Sequence, residues 1–217
     1  MANLALFDLD GTLIDSRRGI LHSLHLTLDA YGVDRVTDAD LTKHIGASLW
    51  RIFEHYLHTT DKTVLDGAVA KYRHIYRDGP MFEYDIYDGV VQALQELQRN
   101  GIRVVIATAK AHEYAREVVM TGHLASHIQH VYGSELDGRN VEKSDLIRHV
   151  LATEGVDASR AVMVGDRHHD IDGATANGVS SIGVLYGYGT LDELHRASRL
   201  VDYASELPLV VSELLAA

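Results

Sequence analysis

The chain has no cysteine among its 217 residues, which excludes disulfides, thiolate metal sites and a cysteine nucleophile. Proline occurs only twice, once within Asp78-Gly79-Pro80, a run that cannot continue a helix. Aromatic residues make up 7% and mark no clear interface patch, so a monomer is the expected state. Basic residues are scarce beside acidic ones, 20 against 31 for a net charge of −11. That balance argues against binding a nucleic-acid polymer or an anionic membrane surface. No apolar run approaches the roughly 20 residues of a membrane span. Met1-Ala2-Asn3 puts no basic region ahead of the first apolar run, so no signal peptide is expected, and the expected location is the cytoplasm. Hydrophobic residues at 46% and charged residues at 24% are ordinary for a globular chain of this length, which can bury a substantial core.

The start of the chain carries the strongest local signal. Leu4-Ala-Leu-Phe7 has the length and composition of a buried strand, and it ends in Asp8-Leu9-Asp10-Gly11-Thr12. A buried strand has no packing use for carboxylates at its end, whereas open α/β sheets bind ligands there. One reading makes Asp8 and Asp10 turn residues, since Asp-Gly is a common turn pair. The other bends the chain at Gly11 so that both acids reach one small site. Like charges that close are costly unless a cation or a proton neutralises them, and a divalent metal suits carboxylate oxygens.

Further strands are expected at Arg103–Thr108, Ala161–Gly165 and Ser181–Leu185, with a weaker one at His130–Tyr132. Helices fit between them. Val90, Val91, Leu94 and Leu97 keep helical spacing up to Gly101, and Leu146, Ile147, Val150 and Leu151 keep it up to Gly155. This alternation predicts an α/β fold with a doubly wound parallel sheet. Residues 16–84 break the rhythm, with helical spacing in Ile20, Leu24 and Leu28 and again in Leu49, Phe53, Tyr56 and Leu57. The expected division is a core of 1–15 and 85–217 and a helical cap of 16–84, placed after the first strand where it could act as a lid.

Three more features fall at expected strand ends. Ala107-Thr108-Ala109-Lys110 puts a hydroxyl and an ammonium at the edge of the second strand, and Gly165-Asp166-Arg167-His168-His169-Asp170 supplies a second acidic cluster. Lys143 stands at a helix start, where a cation opposes the helix dipole and so needs another reason to be there. Together they can be assembled into a phosphoryl-transfer mechanism, with these expected roles. Asp8 attacks phosphorus and forms an aspartyl-phosphate. Asp10 protonates the leaving oxygen and then takes a proton from the attacking water. Mg²⁺ between Asp8, the Asp10 carbonyl and Asp166 neutralises phosphoryl charge. Gly11, Thr12, Thr108, Ala109, Lys110 and Lys143 are the expected phosphate-side residues, and Asp170 is expected behind them, orienting metal-bound water or Lys143.

These four motifs, in this order, resemble the haloacid dehalogenase-like superfamily of phosphohydrolases, in its phosphoglycolate phosphatase-like group. Asp15-Ser16 and Tyr87-Asp-Gly89-Val are also similar to that group. The resemblance spans the whole chain and implies a Rossmann-like core with a helical cap. A second aspartate at position 10 favours phosphate-ester hydrolysis over dehalogenation or phosphonate cleavage. A β-phosphoglucomutase-like phosphomutase keeps both aspartates and stays an alternative. The expected substrate is a small phosphorylated metabolite. Tyr132 to Lys143 and Tyr186-Gly-Tyr188-Gly-Thr190 are similar to 5′-nucleotidases of the family and favour a 5′-nucleotide, with Tyr faces for the base, over phosphoglycolate or another small ester. The stretch Lys43-His44-Ile45-Gly46-Ala47-Ser48 resembles the family's substrate-facing cap loop. Arg17 and Arg18 either meet the substrate or decorate the cap. His168 and His169 lie in the acidic motif, but adjacent histidines do not make a tetrahedral zinc site, and loop packing is the expected role of His169.

Overall fold

The structure, a computed structural model, describes residues 3–216. The core elements run β1 (Leu4–Phe7), β2 (Ile14–Asp15), then α1 (Arg17–Ala30), α2 (Asp38–Thr42), α3 (Leu49–Leu57) and α4 (Lys62–Arg77). They continue with β3 (Asp85–Ile86), α5 (Val90–Arg99), β4 (Arg103–Ala111), α6 (His112–Thr121), β5 (His130–Ser134) and α7 (Lys143–Glu154). The chain closes with β6 (Ala161–Gly165), α8 (His168–Ala176), β7 (Ser180–Val184), α9 (Leu191–Leu194), β8 (Arg199–Val201) and α10 (Leu207–Ala216).

Six strands form one parallel sheet in the order β5-β4-β1-β6-β7-β8. The chain winds outward from β1 through β4 to β5, then crosses over β1 to β6 and winds the other way. That is the doubly wound Rossmann order, and its switch point lies at the carboxyl ends of β1, β4 and β6. Strand alternation feeds two separate cores. Leu4, Leu6, Val105 and Met163 face α7 on one side, through Leu146, Ile147 and Val150. Ala5, Phe7, Ile106 and Val164 face the other, with Leu94 and Leu97 of α5 and Val211 of α10. Strands buried on both faces read as continuous apolar runs, as these do.

The expected strands are all present, and β4 runs on to Ala111 with a register shift against β5 between Thr108 and Ala111. Gly133 permits that shift, because a Cβ there would lie 2.5 Å from the Lys110 carbonyl oxygen. Two elements escape a reading by periodicity because they are too short to show a period. They are the edge strand β8 and the antiparallel pair β2–β3, where Ile14 sits opposite Ile86 and Asp15 opposite Asp85. The second of these joins the chain just before and just after α1–α4. No helix among the described residues is long and apolar enough to cross a membrane.

Phe7 is fully buried at the end of the central strand. Phe7→Ala removes its ring from the core and should lower the unfolding free energy by about 3–5 kcal/mol, measured by urea denaturation followed by circular dichroism.

Candidate active site

The site forms where β1, β4 and β6 stop. The Asp8 amide still donates to Val164 across the sheet at 2.9 Å, so its side chain leaves the last ladder position of β1. Gly11 then turns the chain with φ +87°, and a Cβ there would fall 2.3 Å from Asp166 Oδ2. No side chain fits that position, so the bend at Gly11 and the approach of Asp166 require each other. Asp166, at the end of β6, accepts from Thr12 Oγ1 at 3.1 Å and from the Tyr188 amide at 2.8 Å.

Asp8, Asp166 and Asp170 come together, each offering an oxygen within 4.8 Å of the others, and all three are buried. Lys143, the first residue of α7, reaches into the group from the side. Its Nζ lies 3.1 Å from Asp8 and 2.7 Å from Asp170, and it donates to the Ala107 carbonyl at 2.9 Å. Gly173 makes room for its stem, since a Cβ there would be 2.9 Å from Lys143 Cγ. The helix-start lysine is therefore held by carboxylates that outweigh the dipole's opposition.

Charge does not balance in this site. Burial pushes the Asp8 carboxyl up to about 6, with Asp170 and Asp10 adding to the rise and Lys143 opposing it. Burial also raises Asp166 well above the usual carboxylate range, helped by Asp170 and Asp8. Burial works against the Lys143 ammonium as well, but Asp170 and Asp8 more than offset it and raise its pKa. Three buried carboxylates face one buried ammonium, and all the clustered donor atoms are oxygens. A hard divalent cation with oxygen ligands fits both the charge deficit and the donor set.

Asp10 takes a different path. Its carboxylate is held by Lys110 Nζ at 2.7 and 2.9 Å and by Ser16 Oγ at 2.6 Å, so it does not join the acidic group. Lys110 lines the cavity with Thr108 and Ala109, and several donors of the expected phosphate-side residues have partners within the chain. Lys110 is engaged by Asp10, its amide donates to Thr108 Oγ1 at 3.3 Å, and its ammonium lies 4.9 Å from the Tyr76 ring centre. The amides of Gly11 and Thr12 bond within their own turn, to Ile14 and Leu9. These residues shape the site, because their donors are already used. Thr108 and Ala109 line the cavity beside Asp8 and Asp10.

That cavity, of about 80 Å³, lies between the strand ends and the helices of 16–84. Ile45, Gly46, Ala47 and Ser48 line it, as the loop resemblance implies, but Lys43 and His44 do not. Lys43 pairs with Asp40, and the His44 ring packs on His55 and Tyr56. The tyrosines expected to meet a base lie elsewhere. Tyr132 donates to Glu154. Tyr186 donates to the Thr12 carbonyl at 3.1 Å, and the Tyr188 hydroxyl donates to Asp15 at 2.9 Å and accepts from the Ser16 amide at 2.9 Å. The wall is instead made by Trp50, Tyr72, Tyr76 and Tyr114. Arg17 and Arg18 pair with Asp15 and Glu83. His168 approaches Glu193 at 3.3 Å, while burial pushes the imidazolium of His169 down to about 4 and keeps the ring neutral.

Sequence reasoning missed Arg167. Its side chain is buried and donates to the carbonyls of Lys43 and Ile45, and it pairs with Glu193 at 2.9 Å. It therefore ties the acidic loop to the loop of 43–48, part of which lines the cavity. An arginine embedded between Asp166 and Asp170 is the one signal that pointed to it.

A site this short of positive charge has a testable consequence. A carboxyl whose pKa is raised in the folded state stabilises the fold below its unfolded value, and that contribution is lost as pH climbs through about 6. Relief by a cation is therefore worth more above that pH. Mg²⁺ should raise the melting temperature of the metal-free protein more at pH 7.5 than at pH 5, read by scanning calorimetry, and less in Asp8→Asn.

Comparison with known proteins identifies the family. Residues 5–184 match the model of the haloacid dehalogenase-like hydrolase family. The chain is 40% identical over 202 residues to a 5′-nucleotidase from Pseudomonas aeruginosa, covering 93% of this chain and 90% of that one. It is 34% identical to the tyrosine-protein kinase PtkA of Mycobacterium tuberculosis, over 91% of this chain and 67% of that protein. The crystal structure of a predicted phosphatase from Clostridium acetobutylicum superposes with a TM-score of 0.93 at 33% identity, covering 98% of this chain and 99% of that one. The chain belongs to the haloacid dehalogenase-like hydrolase family.

Proposed function

We propose that this phosphatase hydrolyses 5′-nucleotides through an aspartyl-phosphate on Asp8, with α1–α4 acting as a cap over the site. The observation that carries the chemistry is the buried Asp8 carboxylate, 3.1 Å from Lys143 and facing a cavity that it shares with Asp10. The nucleotide assignment is supported by the 40% identity to the Pseudomonas 5′-nucleotidase and by the aromatic wall of that cavity.

Asp8 is the nucleophile, and Lys143 holds its carboxylate in place and balances part of the charge that gathers on the phosphoryl oxygens. Asp10, held here as a carboxylate by Lys110 and Ser16, is the general acid and base: it takes up a proton on leaving the Lys110 ammonium, gives that proton to the leaving oxygen, and later takes one from the water that frees Asp8. Asp8, Asp166 and the main-chain carbonyl of Asp10 would hold Mg²⁺, which supplies Lewis-acid stabilisation of phosphoryl charge when bound. Asp170 keeps Lys143 oriented toward Asp8. The chain therefore provides two carboxylates with separate roles, set apart by their partners: Asp8 by Lys143 and Asp10 by Lys110.

The cavity of about 80 Å³ is small for this substrate. An apolar cavity of about 150 Å³ accommodates benzene, so a nucleoside enters only when the cap helices move away from the strand ends. Closing then excludes water while Asp8 attacks. Arg167, which grips the main chain at Lys43 and Ile45, holds the closed position.

Phosphate release should be measured with Mg²⁺ on a panel of 5′-nucleotides, 2-phosphoglycolate and sugar phosphates. A nucleotide series should give the highest kcat/KM, and Asp8→Asn should abolish release. Asp10→Asn should lower kcat by about 10²–10⁴-fold, the usual contribution of a positioned general acid or base. Preference for phosphoglycolate would keep the chemistry and reject the substrate. Isomerisation of a sugar phosphate without phosphate release would replace hydrolysis by a mutase reaction.

A further inference from the structure

A buried arginine stands in the chain between two of the three clustered carboxylates, yet its side chain pairs with neither. The Arg167 amide donates to Asp170 Oδ2 at 3.1 Å, so the backbone of this residue lies at the edge of the acidic group. Its guanidinium goes elsewhere. It donates to the Ile45 carbonyl, to the Lys43 carbonyl at 2.6 Å and to Glu193 Oε1 at 2.9 Å. Gly46 leaves a passage for the stem, since with φ +97° it carries no Cβ, and one there would lie 3.1 Å from Arg167 Cγ. In this position the buried Arg167 Nε has no hydrogen-bond partner among the described residues. A guanidinium is best satisfied by carboxylates, through two parallel bonds, and the acidic group beside it has carboxylates in excess of cations. Arg167 already acts on Asp166 electrostatically, against the rise that burial causes. What needs explaining is the force that keeps this cation out of the cluster.

Glu193 on α9 supplies it. The two oxygens of this carboxylate have separate partners. Oε2 accepts from the Thr190 amide at 3.0 Å, and Thr190 Oγ1 accepts from the Glu193 amide at 3.3 Å, which is the capping box that starts α9. Capping accounts for a glutamate at this position but leaves Oε1 free. That oxygen takes Arg167, with His168 Nδ1 also approaching it at 3.3 Å. Among the described residues, Glu193 is the one carboxylate in ion-pair contact with Arg167. The other two partners are carbonyls of the loop 43–48, which withdraws when the proposed cap opens. Glu193 is then what remains to hold the guanidinium, against the pull of the buried acids next to it.

We propose that Glu193 is a positioning residue for the metal site: it holds the Arg167 guanidinium away from Asp166 and Asp170, so that their oxygens stay free for a divalent cation. Without Glu193 the guanidinium turns into the acidic group, gains acceptors there and offsets the charge deficit that a cation would otherwise fill. The inference rests on reading the acidic group as a metal site and is independent of which phosphate ester is hydrolysed.

The test measures Mg²⁺ affinity by isothermal titration calorimetry on the metal-free protein, with circular dichroism to verify the fold of each variant. Glu193→Gln should weaken Mg²⁺ binding by about 10–100-fold, the usual effect of losing a partner behind the ligands. Arg167→Met removes the competing cation and should bind Mg²⁺ no more weakly than the wild type. The double variant Arg167→Met/Glu193→Gln should then match Arg167→Met, a recovery that a merely structural role for Glu193 would not produce. Thr190→Ala removes the hydroxyl half of the capping box without touching the Arg167–Glu193 pair, and it should keep wild-type affinity. Unchanged affinity in Glu193→Gln would overturn the inference. A double variant as weak as Glu193→Gln would also overturn it, because Glu193 would then act by bracing the loop of 186–190 and not through Arg167. An equal loss in Thr190→Ala would lead to the same rejection. Failure of the wild type to bind Mg²⁺ would instead overturn the metal reading itself.

Discussion

The arrangement depends on burying three carboxylates, Asp8, Asp166 and Asp170, against a single ammonium, Lys143. Such a cluster is costly, and the fold is shaped to hold it at close range. Glycine stands wherever the backbone must come within reach. A Cβ at Gly165 would lie 2.2 Å from the Asp170 carboxyl carbon, one at Gly187 would lie 2.3 Å from Asp166 Cβ, and one at Gly189 would lie 1.8 Å from the Asp166 carbonyl oxygen. None of these positions tolerates a side chain, so the loop of 186–190 closes directly over the acidic end of β6. That closeness is what makes the charge deficit a binding site rather than a solvated patch.

Two straps extend this cluster to the helices of 16–84. Tyr188 donates its amide to Asp166, and its hydroxyl donates to Asp15 and accepts from the Ser16 amide, so the loop that covers Asp166 reaches the start of α1. Ser16 Oγ in turn bonds Asp10, so a shift of α1 against the sheet moves a partner of the proposed general acid. Through Arg167, the same acidic motif grips the main-chain carbonyls of Lys43 and Ile45 on the opposite side. The position of the 16–84 helices and the carboxylate geometry are thus mechanically joined at two places, each within two residues of Asp166 or Asp10 along the chain or through a single hydrogen bond.

How much of this was legible follows from how local each feature is. The four core strands and the helices α5 and α7 were readable because apolar periodicity acts within one element. Asp8, Asp166 and Lys143 were readable because each breaks a local rule: a charge at the end of a buried strand, or a cation at a helix start. The partners of those residues were not. Nothing in Tyr186-Gly-Tyr188-Gly says that its hydroxyls turn toward Thr12 and Asp15 and away from the cavity, since that depends on how the loop folds back over Asp166. The cavity wall escaped for the same reason. Trp50, Tyr72 and Tyr76 keep ordinary helical spacing, and only the packing of α3 and α4 over the strand ends distinguishes a wall from a core.

A chain of net charge −11 must still attract an anionic phosphate ester. Near the cavity, Lys143 and Lys110 are held by carboxylates, whereas among the described residues no carboxylate pairs with Arg73. Attraction at the reacting end must therefore come from the cation that the acidic cluster calls for. The excess of buried negative charge would repel a phosphate as it stands, and a divalent ion held by Asp8 and Asp166 would supply the positive charge to offset it. On this argument metal and substrate binding are coupled by charge, and the proposed division of labour follows. The strand ends and metal recognise the phosphoryl group that all substrates share, while α3 and α4 are left to tell one leaving group from another.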